Sequence, residues 1–263
     1  MPLIDTPATT LNYRFDGPAE GPVVMLAHSL AADLSMWDPQ IAPLTSAGYR
    51  VLRYDHRGHG HSAVPPGPYT MADLTDDAVG LMDALNLPKV HFCGLSMGGM
   101  VGQMLGARHG ERLHSLVLCS TAAHMPARDI WEERIRTVRE QGMAAVAPGT
   151  LERWFTPAGR ERLPETVRKI RKIIENSPAE GFSACCAALR DMDLRDILFD
   201  IDRPTLILVG EQDQGTPVAA ARFIHERIPV SRLVVIAEAA HLQNIEQAET
   251  FNRTLREFFT EPA

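Results

Sequence analysis

The stretch CGLSMGGM, residues 93–100, sets a serine between glycines at the end of an apolar run. Its core, Gly94-Leu95-Ser96-Met97-Gly98, has the spacing G-x-S-x-G. The run KVHFCG (89–94) before it reads as a buried strand, and the small residues from Gly99 onward read as the start of a helix. A strand that turns this sharply into a helix leaves no room for side chains two positions before and after the serine, and glycine supplies that space. The turn holds the Ser96 hydroxyl out at the carboxyl edge of a sheet, above a helix N-terminus. A hydroxyl of ordinary pKa is a poor nucleophile, so this reading requires a base and an acid later in the chain.

Both are present, in the order Ser, Asp, His. The apolar run TLILVG leads into EQDQGTP, which places Asp213 just past the end of a strand. The run LVVIA leads into EAAHLQNIE, which places His241 in the equivalent position one strand later. His241 is the expected general base, and Asp213 is expected to fix its tautomer and stabilise the imidazolium. Glu211 and Glu238 are rival carboxylates, but each lies nearer its strand. A developing oxyanion needs two donors. The N–H of Met97, directly after the nucleophile, is one expectation; the N–H of Leu30, in the loop AHSLAAD, is the other.

Working outward, the chain alternates strand and helix patterns. TLNYRF (10–15) has the alternation of a half-exposed strand, while PVVMLAH (22–28), YRVLRYD (49–55) and LHSLVLCS (113–120) are apolar runs suited to strands covered on both faces. Segments 33–48 and 70–87 carry helical patterns, and a closing helix is expected over 245–260. Such alternation predicts an α/β fold with a mostly parallel sheet and helices on both faces. Residues 122–200 break the pattern, being helical, charged and arginine-rich. The chain therefore divides into a core, 1–121 and 201–263, and a helical cap insertion, 122–200.

With a formal net charge of −7 over 263 residues, the chain lacks the basic excess that nucleic-acid binding needs. No apolar run reaches the length of a membrane span, and the N-terminus shows no basic start followed by an apolar core, so a cytoplasmic location is expected. Cys93, Cys119, Cys185 and Cys186 show no C-x-x-C spacing and read as reduced, buried thiols. Cys185 and Cys186 are expected to pack the cap against the sheet. The histidines of YDHRGHGHS (54–62) lie close together, but Asp55 is the one carboxylate near them, and no metal or other cofactor is expected.

Taken together, GLSMGG, YDHRGHGHS and the late GEQDQGTP and AAHLQNIE resemble the α/β-hydrolase superfamily. DLSMWDPQ, GPYTMADLTDDAVGLMDAL, FCGLSMGGMVGQ and RWFTP go further and resemble the 3-oxoadipate enol-lactonases of bacterial aromatic catabolism. That resemblance implies a helical cap, a cofactor-free Ser-His-Asp hydrolase and an enol-lactone substrate. It carries the triad onto Ser96, Asp213 and His241 and the oxyanion donors onto Leu30 and Met97. Its oxyanion loop departs from the lactonases, which more often have asparagine in place of His28 and glycine after the leucine. Carboxylesterases, cofactor-free perhydrolases and carbon–carbon bond hydrolases share the same parts, and a ligand receptor on this fold is the non-enzymatic alternative. Ser96 argues against epoxide hydrolases and haloalkane dehalogenases, which use a carboxylate nucleophile. In the cap, Trp131, Arg134 and Trp154 are candidates for lining the pocket, with Arg134 placed to clamp a substrate carboxylate. The expected partner is a small ester or lactone, and homo-oligomerisation stays open.

Overall fold

The apolar run Val23–Ala27 is buried at every position, as a strand flanked by two others and covered on both faces must be. In the computed structural model, which describes residues 2–125 and 127–260, it is the third of eight strands in one sheet. The strands are β1 (Leu3–Asp5), β2 (Thr10–Asp16), β3 (Val23–Ala27), β4 (Arg50–Tyr54), β5 (Val90–Leu95), β6 (Leu113–Cys119), β7 (Thr205–Gly210) and β8 (Ser231–Ile236). Their order across the sheet is β1-β2-β4-β3-β5-β6-β7-β8. β1 and β2 run antiparallel; every pairing from β4 to β8 is parallel. All the parallel strands therefore end at one edge, where the loops after β3, β4, β5, β7 and β8 gather.

The described residues form eleven α-helices. They are α1 (Asp38–Ser46), α2 (Met71–Ala84), α3 (Met97–Arg108), α4 (Arg128–Gln141), α5 (Met143–Trp154), α6 (Pro157–Arg162), α7 (Pro164–Asn176), α8 (Ala179–Asp191), α9 (Val218–His225), α10 (Gln243–Glu246) and α11 (Ala248–Thr260). Neighbouring residues of a strand point to opposite faces. Phe92 of β5 lies under α3 at Gly102, whereas the ring of His91 lies 4.9 Å from that of Phe259 of α11. The helices thus cover both faces. α2 begins with a capping box, in which Thr70 and Asp73 satisfy each other's backbone amides. No helix among the described residues is long and apolar enough to cross a membrane.

The helix expected over 33–48 divides. Asp33 caps a short 3-10 turn over Leu34–Trp37, and α1 begins only at Asp38, with a proline in its first turn. The closing helix is likewise split into α10 and α11. β1 is an addition, three residues at the sheet's edge of which only Ile4 is half-buried, too short to carry a sequence pattern. Five consecutive helices, α4–α8, lie in the chain between β6 and β7. Cys93 and Cys119 are free thiols on adjacent strands with their sulfurs 3.9 Å apart. Cys185 packs against the loop after β4, its sulfur 3.9 Å from the carbonyl of Arg57.

Candidate active site

Ser96 sits between the last residue of β5 and the first of α3 with φ 58° and ψ −114°, a backbone conformation that side-chain-bearing residues rarely adopt. A methyl on Gly94 would lie 2.0 Å from the carbonyl oxygen of Gly98, and one on Gly98 would lie 2.2 Å from that of Ala27. The two glycines are thus fixed by backbone contact, and the strained serine between them is over-determined. Its N–H donates to Cys119 O at 2.8 Å, and its carbonyl accepts from the Thr121 hydroxyl at 2.9 Å.

Asp213 and His241 occupy the loops after β7 and β8. The Asp213 Oδ1 accepts the amides of Gly215 and Thr216 at 2.9 and 3.0 Å, which tightens the loop around the carboxylate. Its Oδ2 accepts from the Thr216 hydroxyl at 2.8 Å and lies 2.9 Å from His241 Nδ1. Burial works to raise the Asp213 pKa, yet the facing imidazole and the Thr216 donors outweigh it and hold the carboxyl below its usual value. A carboxylate against Nδ1 requires the proton there, which leaves Nε2 with the lone pair. Of the rival acids, Glu211 accepts the Glu238 amide at 3.3 Å, in an exposed position.

Ser96 and His241 both line a cavity of about 540 Å³, together with Ser29 and Leu30 from the loop after β3. Among the described residues, the amides of Leu30 and Met97 donate to no protein acceptor. Trp131 and Arg134 of α4 and Arg153 and Trp154 of α5 line the same cavity. Every site residue expected from the sequence, apart from Asp213 behind the imidazole and the buried Met97, therefore lines this one space. Among the described residues no group of three or more His, Cys, Asp or Glu side chains is arranged to hold a metal ion.

Arg153 was not singled out in the sequence, because an arginine next to Glu152 at the end of a helix reads as solvated. It donates to Thr150 Oγ1 at 3.3 Å, and Arg134 reaches the same oxygen at 3.5 Å. The Arg134 guanidinium also lies 5.2 Å from the ring of Trp131 and 5.8 Å from that of Phe182. Neither arginine is ion-paired with a carboxylate among the described residues. Burial lowers the Arg134 pKa, and burial together with the Arg134 charge pulls Arg153 down to about 10, which leaves Arg153 cationic at neutral pH.

The helical segment is fastened to the base-bearing loop by Glu246. Its buried carboxylate accepts the amide and hydroxyl of Thr156 at 3.0 and 2.5 Å through Oε1, and the amide of Ala240 at 2.8 Å through Oε2. Next to it, Leu242 N–H donates to the carbonyl of Trp154 at 3.0 Å, and the Trp154 ring stacks on His241 at 6.3 Å.

Residues 22–248 match the family model described as the alpha/beta hydrolase fold. The chain belongs to the α/β-hydrolase family. This α/β-hydrolase is 41% identical to 3-oxoadipate enol-lactonase 2 of Acinetobacter baylyi over 93% of its length and 91% of that protein's. The solved enol-lactonase of Burkholderia xenovorans LB400 is 42% identical, with a TM-score of 0.96 over 99% of this chain and 100% of that one. A malate-bound thermophilic esterase of Thermogutta terrifontis is 33% identical, with a TM-score of 0.91 over 98% and 97%. The chain is accordingly a hydrolase of ester bonds.

Proposed function

We propose that this hydrolase opens an enol-lactone bearing a free carboxylate, 3-oxoadipate enol-lactone, with Ser96, His241 and Asp213 as its triad and residues 122–200 as a cap over the core. The observation that carries this reading is one cavity lined by a serine, a carboxylate-backed imidazole and two guanidiniums that form no salt bridge among the described residues. Ser96 Oγ attacks the lactone carbonyl as His241 Nε2 takes its proton. The N–H groups of Leu30 and Met97 receive the oxyanion, with the N-terminus of α3 adding its dipole. The ring C–O bond breaks, the enolate oxygen takes the proton from His241, and an acyl-enzyme remains. Water, deprotonated by His241, then attacks the acyl carbon, Ser96 leaves with its proton restored, and the diacid departs.

Arg134 and Arg153 hold the substrate carboxylate, and Trp131 and Trp154 form the apolar walls. A charge-assisted hydrogen bond is worth about 1.5–3 kcal/mol, so losing one guanidinium should cost roughly 10- to 100-fold. The test is a panel containing the anionic lactone and a neutral short-chain chromogenic ester. The lactone should have the higher kcat/KM, and Arg134→Ala and Arg153→Ala should each lower it about 10- to 100-fold while moving the neutral ester less than about threefold. Equal losses on both substrates would sink the carboxylate assignment. A flat preference across the panel would select the broader carboxylesterase reading that the likeness to the Thermogutta esterase supports.

A further inference from the structure

The loop after β3 contains a hydrogen-bond arrangement that the triad chemistry does not by itself require. Ser29 C=O and Leu30 N–H belong to one trans peptide unit, so they point in opposite directions. The Ser29 carbonyl accepts from His28 Nδ1 at 2.7 Å and from Ala32 N–H at 3.2 Å. The next peptide unit is held as well: Ala31 N–H donates to His59 Nε2 at 3.0 Å. Ala31 itself has φ 61°, the left-handed region that favours glycine. Both imidazoles are fully buried, with ring centroids 5.4 Å apart.

These contacts fix the tautomers. A nitrogen facing a carbonyl must carry the proton, so His28 is protonated at Nδ1, and its bare Nε2 accepts His56 N–H at 3.1 Å. A nitrogen facing an amide must be bare, so His59 carries its proton at Nδ1, 3.3 Å from the Arg57 carbonyl. The third ring, His56, makes no side-chain hydrogen bond and packs edge-on 4.7 Å from His28. Burial pushes His28 down to about 4 and His59 to about 3, so both rings are neutral at neutral pH, as the arrangement needs.

We propose that His28 and His59 are positioning residues that act through the backbone, clamping the two peptide units on either side of Leu30 so that its N–H stays aimed at the oxyanion. Pulling the Ser29 carbonyl toward His28 turns the Leu30 N–H the other way, into the cavity. Holding Ala31 N–H on His59 keeps the left-handed turn closed behind it. The inference rests on the Ser96 reading, and it makes an internal histidine pair a determinant of transition-state binding rather than of substrate binding.

Side-chain chemistry provides the test. An asparagine amide reaches the position of Nδ1, and a glutamine amide reaches that of Nε2. His28→Asn should therefore preserve the donor to Ser29, and His28→Gln should lose it; at 59, where Nε2 does the work, glutamine should serve and asparagine should fail. The failing variants should lose about 10²- to 10³-fold in kcat on a chromogenic ester, the cost of an oxyanion donor, with KM within about threefold. They should lose a matching factor in affinity for a trifluoromethyl ketone inhibitor. The serving variants should stay within about tenfold of the native enzyme in both. Equal behaviour of asparagine and glutamine at both sites, or a kcat loss without a matching inhibitor loss, overturns the proposal. Nitrogen-15 NMR of the Ser96→Ala protein reads the tautomers without disturbing the rings: Nδ1–H at both supports the clamp, and Nε2–H at either rejects it. Turnover that survives Ser96→Ala would instead strike the triad reading, whatever the histidine variants do.

Discussion

Two sets of histidines stand at the same sheet edge and make opposite demands on their surroundings. His241 faces a carboxylate at 2.9 Å and lines the cavity beside Ser96. His28 and His59 are sealed against backbone groups, in places that tolerate only the neutral ring. Asp55, the carboxylate nearest this pair, is 4.0 Å from His28 Nε2, and its oxygens accept instead from Asn12, Leu34 and His61. The difference teaches that a histidine's role follows from the partner of its second nitrogen, not from its distance to an acid along the chain.

The comparison breaks first at His241. Its replacement by alanine should lower kcat about 10⁶-fold, and Asp213→Asn about 10⁴-fold, with folding retained by circular dichroism. A loss of less than tenfold at His241 would remove the contrast altogether.

A smaller effect sharpens the buried half. Burial lowers His28 and His59 far below the ordinary value of 6.5, although Asp33 pulls both back up and Asp55 also raises His59. Between roughly pH 6.5 and 4 the unfolded chain binds protons that the folded chain refuses, so this part of the stability is complete above 6.5 and declines as the pH falls. Each ring contributes a slope of up to about 1.4 kcal/mol per pH unit in that window. Urea titrations from pH 7.5 to 4.5 should show the native protein weakening more steeply than His59→Gln. Parallel slopes would mean that His59 is not held neutral.

The smallest effect is expected at Ala31. Its left-handed φ costs an alanine about 1 kcal/mol, so Ala31→Gly should raise stability by up to that amount, less the added freedom of the unfolded chain. A clear loss in the thermal midpoint would show that the methyl group packs usefully.

The elbow around Ser96 was legible because sterics restrict it to glycine at both ends, and Asp213 and His241 because each follows an apolar run long enough to be a strand. The roles within YDHRGHGHS were not legible. Spacing places the rings near one another, but the donor that the His59 ring accepts, Ala31 N–H, and the acceptor of the His56 amide, His28 Nε2, belong to the loop after β3, 28 residues away in sequence. Arg153 was hidden for a related reason. Its helix carries other polar residues, and only the fold shows that Gly149, Arg153 and Trp154 border the same cavity. The break at Asp38 and the three-residue β1 are shorter than the periodicities that reveal elements in a sequence.

The Glu246 carboxylate couples events that the chain order would keep apart. Because it grips Thr156 on one side and Ala240 on the other, this corner joins the two loops into one unit. A shift of the chain at Thr156 is therefore passed to the loop that bears His241, so a change at the end of α5 reaches the imidazole through one carboxylate.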